Sequence, residues 1–197
     1  LGGGGTGTRL GVGHDLRPSS ERIHQALVGG LTQACSDVLD LGLIPTPLLY
    51  FGVVRLSLDA GISITGSHNP PQYNGFKFQL KDRPFYGKDI QGLREWIEKE
   101  EGGRGKGEGG KKAGTIEKAD VIEPYLAELK QQFKYSKKWK IVIDCGHAMA
   151  GLVAPKLFKA LGQDVIELYT NLDPKFPDHH PDPSVLENLE DLSNEVR

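Results

Sequence analysis

Short apolar runs recur along the first third of the chain, and turn-forming residues separate them. The runs at 10–13, 38–41 and 61–65 predict three strands, because each has strand length and ends beside Gly, His or Ser. Between them, apolar positions from 23 to 34 recur with the helical period, and residues 48–56 predict a second helix. The alternation of strand and helix is typical of an α/β layered domain with parallel strands.

Local signals mark where the helices and a hairpin begin. Ser19 and Ser20 are candidate caps of the first helix, and Thr46 precedes Pro47 as an N-cap precedes a first-turn proline. The pair Asn74-Gly75 predicts a hairpin turn leading into a further strand.

That further strand, residues 76–80, alternates in polarity. Its apolar residues share one face, so we expect Lys77 and Gln79 to lie on the other.

The second half of the chain repeats the strand–helix–strand order. The glycine-rich stretch 102–115 predicts a flexible connection, and KIVIDCG at 140–146 predicts a strand buried on both faces. Further helices and one more strand are predicted at 90–100, 121–133, 150–161 and 164–169, the last being the strand. We therefore expect two α/β domains, at 1–120 and 121–197, of which the second holds a single βαβ unit and is incomplete.

Composition narrows the functional classes. A net charge of −2 gives no reason to expect nucleic acid or an anionic membrane as the partner. No apolar run approaches the roughly 20 residues that span a bilayer, and no secretory signal precedes the first strand. Cys35 and Cys145 lack metal-type spacing, so we expect reduced, mostly buried thiols in a cytoplasmic protein.

Two glycine patterns resemble nucleotide-binding motifs but lack the required context. The GxGxxG pattern at 2–7 has no strand before it, and a near P-loop at 105–112 ends in Lys112 where Ser or Thr is needed. We interpret both as chance patterns.

Histidines in the second half offer weaker signals. His179 and His180 stand among aspartates and could in principle bind a metal, but adjacent histidines rarely aim at one ion, so a structural role is favoured. Asp144 and His147 end a predicted strand, where α/β sheets usually bind ligands.

The strongest candidate chemistry is at Ser67, which follows the third strand. A serine nucleophile needs a base within hydrogen-bond reach, but His68 is its neighbour on a strand end and GxSxG is absent, so a hydrolase triad is weakly supported. Ser-His-Asn before two prolines is also an ordinary way to leave a strand. The residues by themselves leave function and turn evenly balanced.

TGSHNPPQYNGFK at 65–77 resembles the phosphoserine loop of the α-D-phosphohexomutases, in particular the bacterial phosphomannomutase/phosphoglucomutase branch. The stretches 13–20, 40–50, 142–151 and 176–192 resemble the same family in order and spacing. The resemblance implies two similar mixed-sheet α/β domains of the phosphohexomutase type. It departs from the family at His14, where arginine is more frequent, and at GHAMAG, where the family pattern resembles G-N-G-x-A-G.

The resemblance implies an intramolecular transfer of a phosphoryl group between O1 and O6 of a hexose. Ser67 would carry the phosphoryl group, Lys77 would act as general base or charge partner, and His68 would complete the catalytic set. The residues that would support the loop are Gly66, Asn69, Arg17, Asp15 and His14.

The resemblance also implies Mg²⁺, hexose 1,6-bisphosphate as activator, and a phosphosugar as substrate. Ser67 would meet the metal through its phosphate, and the remaining ligands are expected beyond Arg197. We expect the chain to be the N-terminal part of such an enzyme, inactive by itself. A non-catalytic phosphosugar-binding or interaction module of the same fold is the alternative. No sequence signal specifies glucose or mannose, or an oligomeric state.

Overall fold

A computed structural model describes residues 7–100 and 112–197. Within these ranges, eight strands and six α-helices alternate in the α/β manner predicted from the sequence. The strands are β1 Arg9–His14, β2 Asp37–Leu43, β3 Ala60–Ile64, β4 Phe76–Leu80, β5 Pro84–Phe85, β6 Ile116–Lys118, β7 Lys140–Asp144 and β8 Asp164–Leu168. The helices are α1 Ser20–Gln33, α2 Thr46–Arg55, α3 Lys88–Glu100, α4 Ile122–Gln132, α5 Ala154–Ala160 and α6 Glu190–Val196.

The first sheet is mixed, with the strand order β5-β4-β3-β1-β2-β6. The central strands β3, β1 and β2 are parallel, so their carboxyl ends meet at one edge. β4 and β5 extend the sheet in the antiparallel sense, and Lys77 of β4 stands opposite Ser63 of β3. This topology brings the ends of β1 and β3, and the start of β4, to one place.

The two faces of the first sheet bury separate apolar clusters. Side chains alternate along β1 and β2, so Val12 and Val38 pack beneath α1. Leu39 and Leu41 point to the opposite face, beneath α2. The cluster on the α2 face continues into the second half of the chain, through Val121, Leu126 and Val153.

The second sheet pairs β7 with β8 in parallel, as the predicted βαβ unit requires. The expectation that β7 is buried on both faces is wrong. Residues 141–144 are half-buried and Lys140 is exposed. Among the described residues β7 has one neighbouring strand, so part of its surface stays accessible.

The predicted flexible connection at 102–115 is corrected at its last residue, where the chain joins the sheet just before β6. Residues 102–111 lie outside the described ranges, but Thr115 is fixed to β2: its amide and hydroxyl both donate to Asp37 Oδ1 at 2.8 Å. These hydrogen bonds lower the pKa of Asp37, opposed only in part by desolvation. β6 then pairs with β2, and the exposed side chains of its three residues leave no apolar pattern from which to predict it.

The side-chain caps predicted at the starts of the first two helices are not formed. Helix α2 begins at Thr46, after Pro45. Residues 149–152 form a short 3₁₀ turn, so α5 begins at Ala154 rather than at 150.

Within 7–100 and 112–197, none of the helices is long and apolar enough to cross a membrane.

Candidate active site

A cavity of about 580 Å³ opens at the carboxyl ends of the parallel strands. This is the edge at which open α/β sheets bind ligands, and the volume suits a small polar molecule. One wall comes from the first sheet and includes Ser67, His68 and Lys77. The opposite wall comes from the second sheet and the loops near it, and includes Asp144 and His179.

The loop that carries Ser67 is held by the side chain of Arg17, which is almost fully buried. Its guanidinium donates to four backbone carbonyls of the loop, and its Nε donates to Asp15 Oδ2 at 3.1 Å. The four carbonyls belong to Ser67 (2.7 Å), Asn69 (2.8 Å), Pro70 (2.7 Å) and Tyr73 (3.1 Å). All five N–H groups of the guanidinium are therefore used inside the protein, which leaves none for a ligand.

Asp15 anchors this arrangement to the end of β1. Its carboxylate accepts hydrogen bonds from the amide of Arg17 (3.0 Å), the amide of Gly66 (3.3 Å) and the hydroxyl of Ser20. Because Asp15 is itself buried, its charge needs the buried partner Arg17. The pair fixes the start of the loop relative to β1 and α1.

At Gly66 the loop backbone passes close beside the guanidinium. A Cβ atom at this position would lie 2.5 Å from Arg17 Cζ and 2.6 Å from its Nε, which is too close for any side chain. Glycine is thus required here for close approach of the backbone, since it is the residue without a Cβ.

Ser67 itself has a strained backbone conformation, with a φ of 53°. A non-glycine residue in the left-handed region costs about 1 kcal/mol or more, and such residues cluster at functional sites. The surrounding hydrogen bonds hold it: its amide donates to Thr65 Oγ1 at 3.0 Å, and its carbonyl accepts from Arg17. The side chain is exposed to the cavity, with His68 Nδ1 3.4 Å from Ser67 Oγ.

Lys77 lines the same cavity as Ser67 and is exposed. Phe76 and Phe78, on either side of it, have their rings 6.2 Å apart on the other face of β4, which is the alternation predicted from the sequence. This wall of the cavity therefore offers the amine of Lys77, the imidazole of His68 and the hydroxyl of Ser67, beside the hydroxyls of Thr46 and Thr65. Among the described residues, its one carboxylate, Asp15, is already paired with Arg17.

The predicted two-residue turn at Asn74-Gly75 does not form. β3 and β4 do pair as a hairpin, but the connecting loop runs from 65 to 75, and Asn74 lies at its end. Its side-chain amide donates to the hydroxyls of Ser19 (3.0 Å) and Ser20 (2.8 Å). These serines thus tie the loop to the start of α1, which explains why neither caps the helix.

His14 lies outside the cavity. It shares the face of β1 with Val12 and packs beneath α1, where its Nε2 is 3.3 Å from Glu21 and its ring centroid is 4.8 Å from that of His24. His14 therefore makes no contact with the cavity. Its link to the serine loop runs through Asp15, whose carbonyl lies 2.8 Å from His14 Nδ1.

The opposite wall is organised by histidine–aspartate pairs. His179 Nε2 lies 3.0 Å from Asp144 Oδ2, and its Nδ1 lies 3.0 Å from the carbonyl of His180. Burial lowers the pKa of His179, but hydrogen bonds to the His180 carbonyl and to Asp144 outweigh it, so the pKa is raised. Both ring nitrogens face acceptors, which is the arrangement that favours the imidazolium form.

His147 makes a second such pair but does not reach the cavity. It is buried, with Nε2 2.6 Å from Asp178 Oδ2 and Nδ1 3.0 Å from the carbonyl of Asn171. Burial opposes protonation of the ring, yet these hydrogen bonds dominate and raise its pKa. The position at the end of β7 therefore places Asp144 in the cavity wall. His147 instead holds neighbouring loops through its hydrogen bonds.

The two walls touch at the serine loop. His180 Nε2 lies 2.8 Å from the carbonyl of His68, so the two adjacent histidines have different partners, as a structural role requires. Below them, Cys145 lines the cavity as a buried, free thiol, and burial with the charges of Asp144 and Glu167 raises its pKa to about 11. Cys35, in contrast with the expectation, is only half-buried.

Comparison with known proteins gives a family to which this geometry belongs. The model of phosphoglucomutase/phosphomannomutase α/β/α domain I matches residues 3–103, and that of domain II matches residues 123–197. The chain belongs to the phosphoglucomutase/phosphomannomutase family. The predicted domain boundary near residue 120 falls between the two matches, and its position stays a prediction.

Relatives within this family match nearly the whole chain. The phosphomannomutase/phosphoglucomutase of Pseudomonas aeruginosa PAO1 is 40% identical over 95% of the chain, and the phosphoglucomutase of Neisseria meningitidis MC58 is 40% identical over 94%. A crystal structure of a family protein from Burkholderia thailandensis superposes with a TM-score of 0.87 at 39% identity, over 97% of this chain and 42% of that one. The chain spans about two fifths of the length of the curated relatives it matches, since it covers 39% of each.

The magnesium expected from the family resemblance can be tested against the residues present. Around the cavity, the described residues offer Ser67 Oγ and the carboxylate of Asp182, whose pKa is lowered by hydrogen bonds from Ser184. Asp144 is already paired with His179, and the one group of three ligating side chains found in the described residues lies outside this cavity. These residues do not complete a magnesium site.

Several residues of the site lacked a chemical signal in the sequence. Thr65, Asn74 and His180 contribute through hydrogen bonds to backbone or to serines, and such contacts leave no spacing pattern. The one usable signal was their membership of the stretches that resemble the family.

Proposed function

We propose that this chain provides the phosphoryl-carrying part of a hexose-phosphate mutase, and that the phosphoryl carrier is Ser67. The observation that supports this most directly is the state of Ser67: an exposed hydroxyl at a positive φ, at the mouth of a cavity, with its loop fixed by a buried arginine. Phosphoryl transfer depends mainly on position and on neutralisation of charge, so a rigid carrier is what the reaction requires.

The proposed transfer breaks the bond between Ser67 Oγ and phosphorus and forms a bond between a sugar hydroxyl oxygen and phosphorus. The hydroxyl proton passes to Lys77, acting as the base in its neutral form. The serine oxygen recovers a proton from His68, whose Nδ1 is 3.4 Å away. The product of this half-reaction is a hexose 1,6-bisphosphate, and the reverse transfer from its other phosphate restores the phosphoserine.

Charge in the cavity is consistent with such a cycle. A phosphoserine carries about −1.5 to −2 charges, so cations must lie nearby. Lys77, which becomes a cation when it takes the hydroxyl proton, shares the cavity with His68. His179, whose raised pKa favours the imidazolium form, lies on the opposite wall. Arg17 contributes by positioning and not by contact, because each of its N–H groups already has an acceptor within the protein.

Three parts of this proposal rest on the family resemblance. Mg²⁺ is the proposed metal, with the phosphate on Ser67 as its contribution from this chain. Hexose 1,6-bisphosphate is the proposed activator, and a glucose or mannose phosphate is the proposed substrate. A cytoplasmic location is part of the same proposal.

The test uses the complete protein that carries this chain. Incubation with glucose 1,6-bisphosphate should add one phosphate at Ser67, detected by mass spectrometry, and the protein should then convert mannose or glucose 1-phosphate to the 6-phosphate. Ser67→Ala should lose both properties.

Ser57→Ala is the matched control, because Ser57 is also exposed and has a φ of 52° but does not line the cavity. Normal turnover by Ser67→Ala would overturn the proposal. Labelling of Ser67 by a fluorophosphonate, without phosphorylation, would instead favour a serine hydrolase.

A further inference from the structure

Beneath α1, on the face of the first sheet away from the cavity, three metal-ligating side chains converge. His14 ends β1, and Glu21 and His24 lie on the first two turns of α1. One ligand atom from each lies within 4.8 Å of the other two, and both histidines are buried while Glu21 is exposed. In the described parts of the chain this is the one group of three or more such side chains found together.

One separation in the group matches that of neighbouring ligands around a single ion, and the three ligand atoms all lie within 4.8 Å of one another. Bond lengths of about 2.0–2.2 Å to nitrogen and oxygen give about 3.4 Å between neighbouring ligands in a tetrahedral site. His14 Nε2 and Glu21 Oε2 are 3.3 Å apart. The side chain of Glu21 is 61% exposed, so it can rotate to shorten its own distances to the two histidines.

His14 is already oriented as a metal-ligating histidine would be. Its Nδ1 lies 2.8 Å from the carbonyl of Asp15, which assigns the proton to Nδ1 and leaves the lone pair of Nε2 facing Glu21. Ligating histidines usually donate their second ring N–H to a carbonyl or carboxylate in this way.

His24 provides an independent observation. It is only 6% exposed, and its Nε2 is buried with no hydrogen-bond partner among the described residues. The nearest carboxylate oxygen, Asp40 Oδ1, is 3.0 Å away but poorly aligned, and it already accepts from the amide of Gly42 at 2.9 Å. A buried polar atom without a partner needs a physical reason, and a bound ion is one.

We propose that His14, Glu21 and His24 form a binding site for a zinc-class divalent ion, with Asp40 as a neighbouring carboxylate. Two imidazoles and one carboxylate suit Zn²⁺ and related ions, whereas Mg²⁺ prefers a shell of oxygens. The fourth position is open to water on the side of exposed Glu21. The site is separate from the cavity and does not depend on the function proposed for Ser67.

An ion at this site would join α1 to the end of β1. Asp15 follows His14 directly and holds the serine loop, and Ser20 precedes Glu21 and donates to Asp15. Binding therefore stabilises the folded state at the point from which the serine loop is anchored.

Co²⁺ tests the site, because tetrahedral Co²⁺ has strong visible absorption. The complete protein is titrated with Co²⁺ in excess Mg²⁺, which occupies oxygen-rich sites. The wild type should bind one equivalent with tetrahedral bands, and Zn²⁺ should displace it. Saturating Zn²⁺, at about a hundredfold excess over Kd, should raise the melting temperature of the complete protein by about 3 °C or more.

Variants locate the binding. His24→Gln should remove the bands, and Glu21→Gln should weaken Kd by about tenfold or more. Glu21 is on the surface, so its variant remains informative if His24→Gln fails to fold. His68→Gln, which removes an exposed histidine of the cavity, should bind Co²⁺ like the wild type. Absence of the bands in the wild type, or equal affinity in wild type and Glu21→Gln, would overturn the proposal.

Discussion

Replacing Arg17 by lysine should loosen the serine loop while leaving the sheet intact. The guanidinium makes five hydrogen bonds, four of them to loop carbonyls. Lysine has three donors on one nitrogen, so at least two of these bonds are lost. Because arginine and lysine carry the same charge, Asp15 keeps a cationic partner. The substitution therefore tests the planar arrangement of the guanidinium donors separately from the charge.

The expected loss of stability in Arg17→Lys depends on how well water can reach the loop carbonyls. The loop carbonyls are part-buried, so water can reach some of them, and each lost bond costs about 1 kcal/mol. Two or three lost bonds give a loss of about 2–3 kcal/mol in the free energy of unfolding, or about 4–12 °C in melting temperature. Catalysis should suffer more, because a displacement of about 1 Å in a reacting group costs on the order of 100-fold in rate.

Urea denaturation measures the stability of Arg17→Lys, and limited proteolysis reports whether the loop at 66–73 becomes accessible. Arg22→Lys is the control, since Arg22 is an exposed residue of α1 to which we assign no role. The reasoning fails if Arg17→Lys and Arg22→Lys have the same urea midpoint and the same cleavage pattern.

Three further predictions concern single side chains. Ser67→Gly and Ser57→Gly should each add about 1 kcal/mol to the free energy of unfolding by relieving a positive φ, measured by urea denaturation, but only the first should abolish phosphotransfer. Iodoacetamide at pH 8 should alkylate Cys35 well before Cys145, whose pKa of about 11 leaves about 0.1% thiolate; equal rates by mass spectrometry would contradict this. The stability contributed by His147 should be complete below its ordinary pKa of 6.5 and disappear as pH rises through its raised pKa; a stability difference from His147→Gln that is independent of pH would refute it.

The central strands were predictable because burial selects apolar runs. Val12 and Val38 are fully buried, so the sequence pattern and the fold carry the same information there. β6 was missed because its three residues are exposed and pair through the backbone alone. Hydrophobic periodicity detects side-chain burial and gives no signal for such a strand.

Ser67, His68 and Lys77 line one cavity, but the way in which their loop is held was not predictable from the sequence. Asn74-Gly75 is a strong local signal for a tight turn, yet hydrogen bonds from Asn74 to two serines 54 and 55 residues away override it. The same limit applies to Arg17, whose partners lie 50 to 56 residues further on. Sequence spacing reports neighbours along an element, and these contacts are set by tertiary packing.

One apolar cluster extends from α2 to Val121, Leu126 and Val153. It packs the two walls of the cavity against each other as one unit. Swinging the second sheet away would expose these three side chains, at about 1.5–3 kcal/mol each. A cost of about 5–9 kcal/mol keeps such an open form below about one molecule in a thousand. A ligand that turns around within the cavity would therefore rotate between walls that keep their separation.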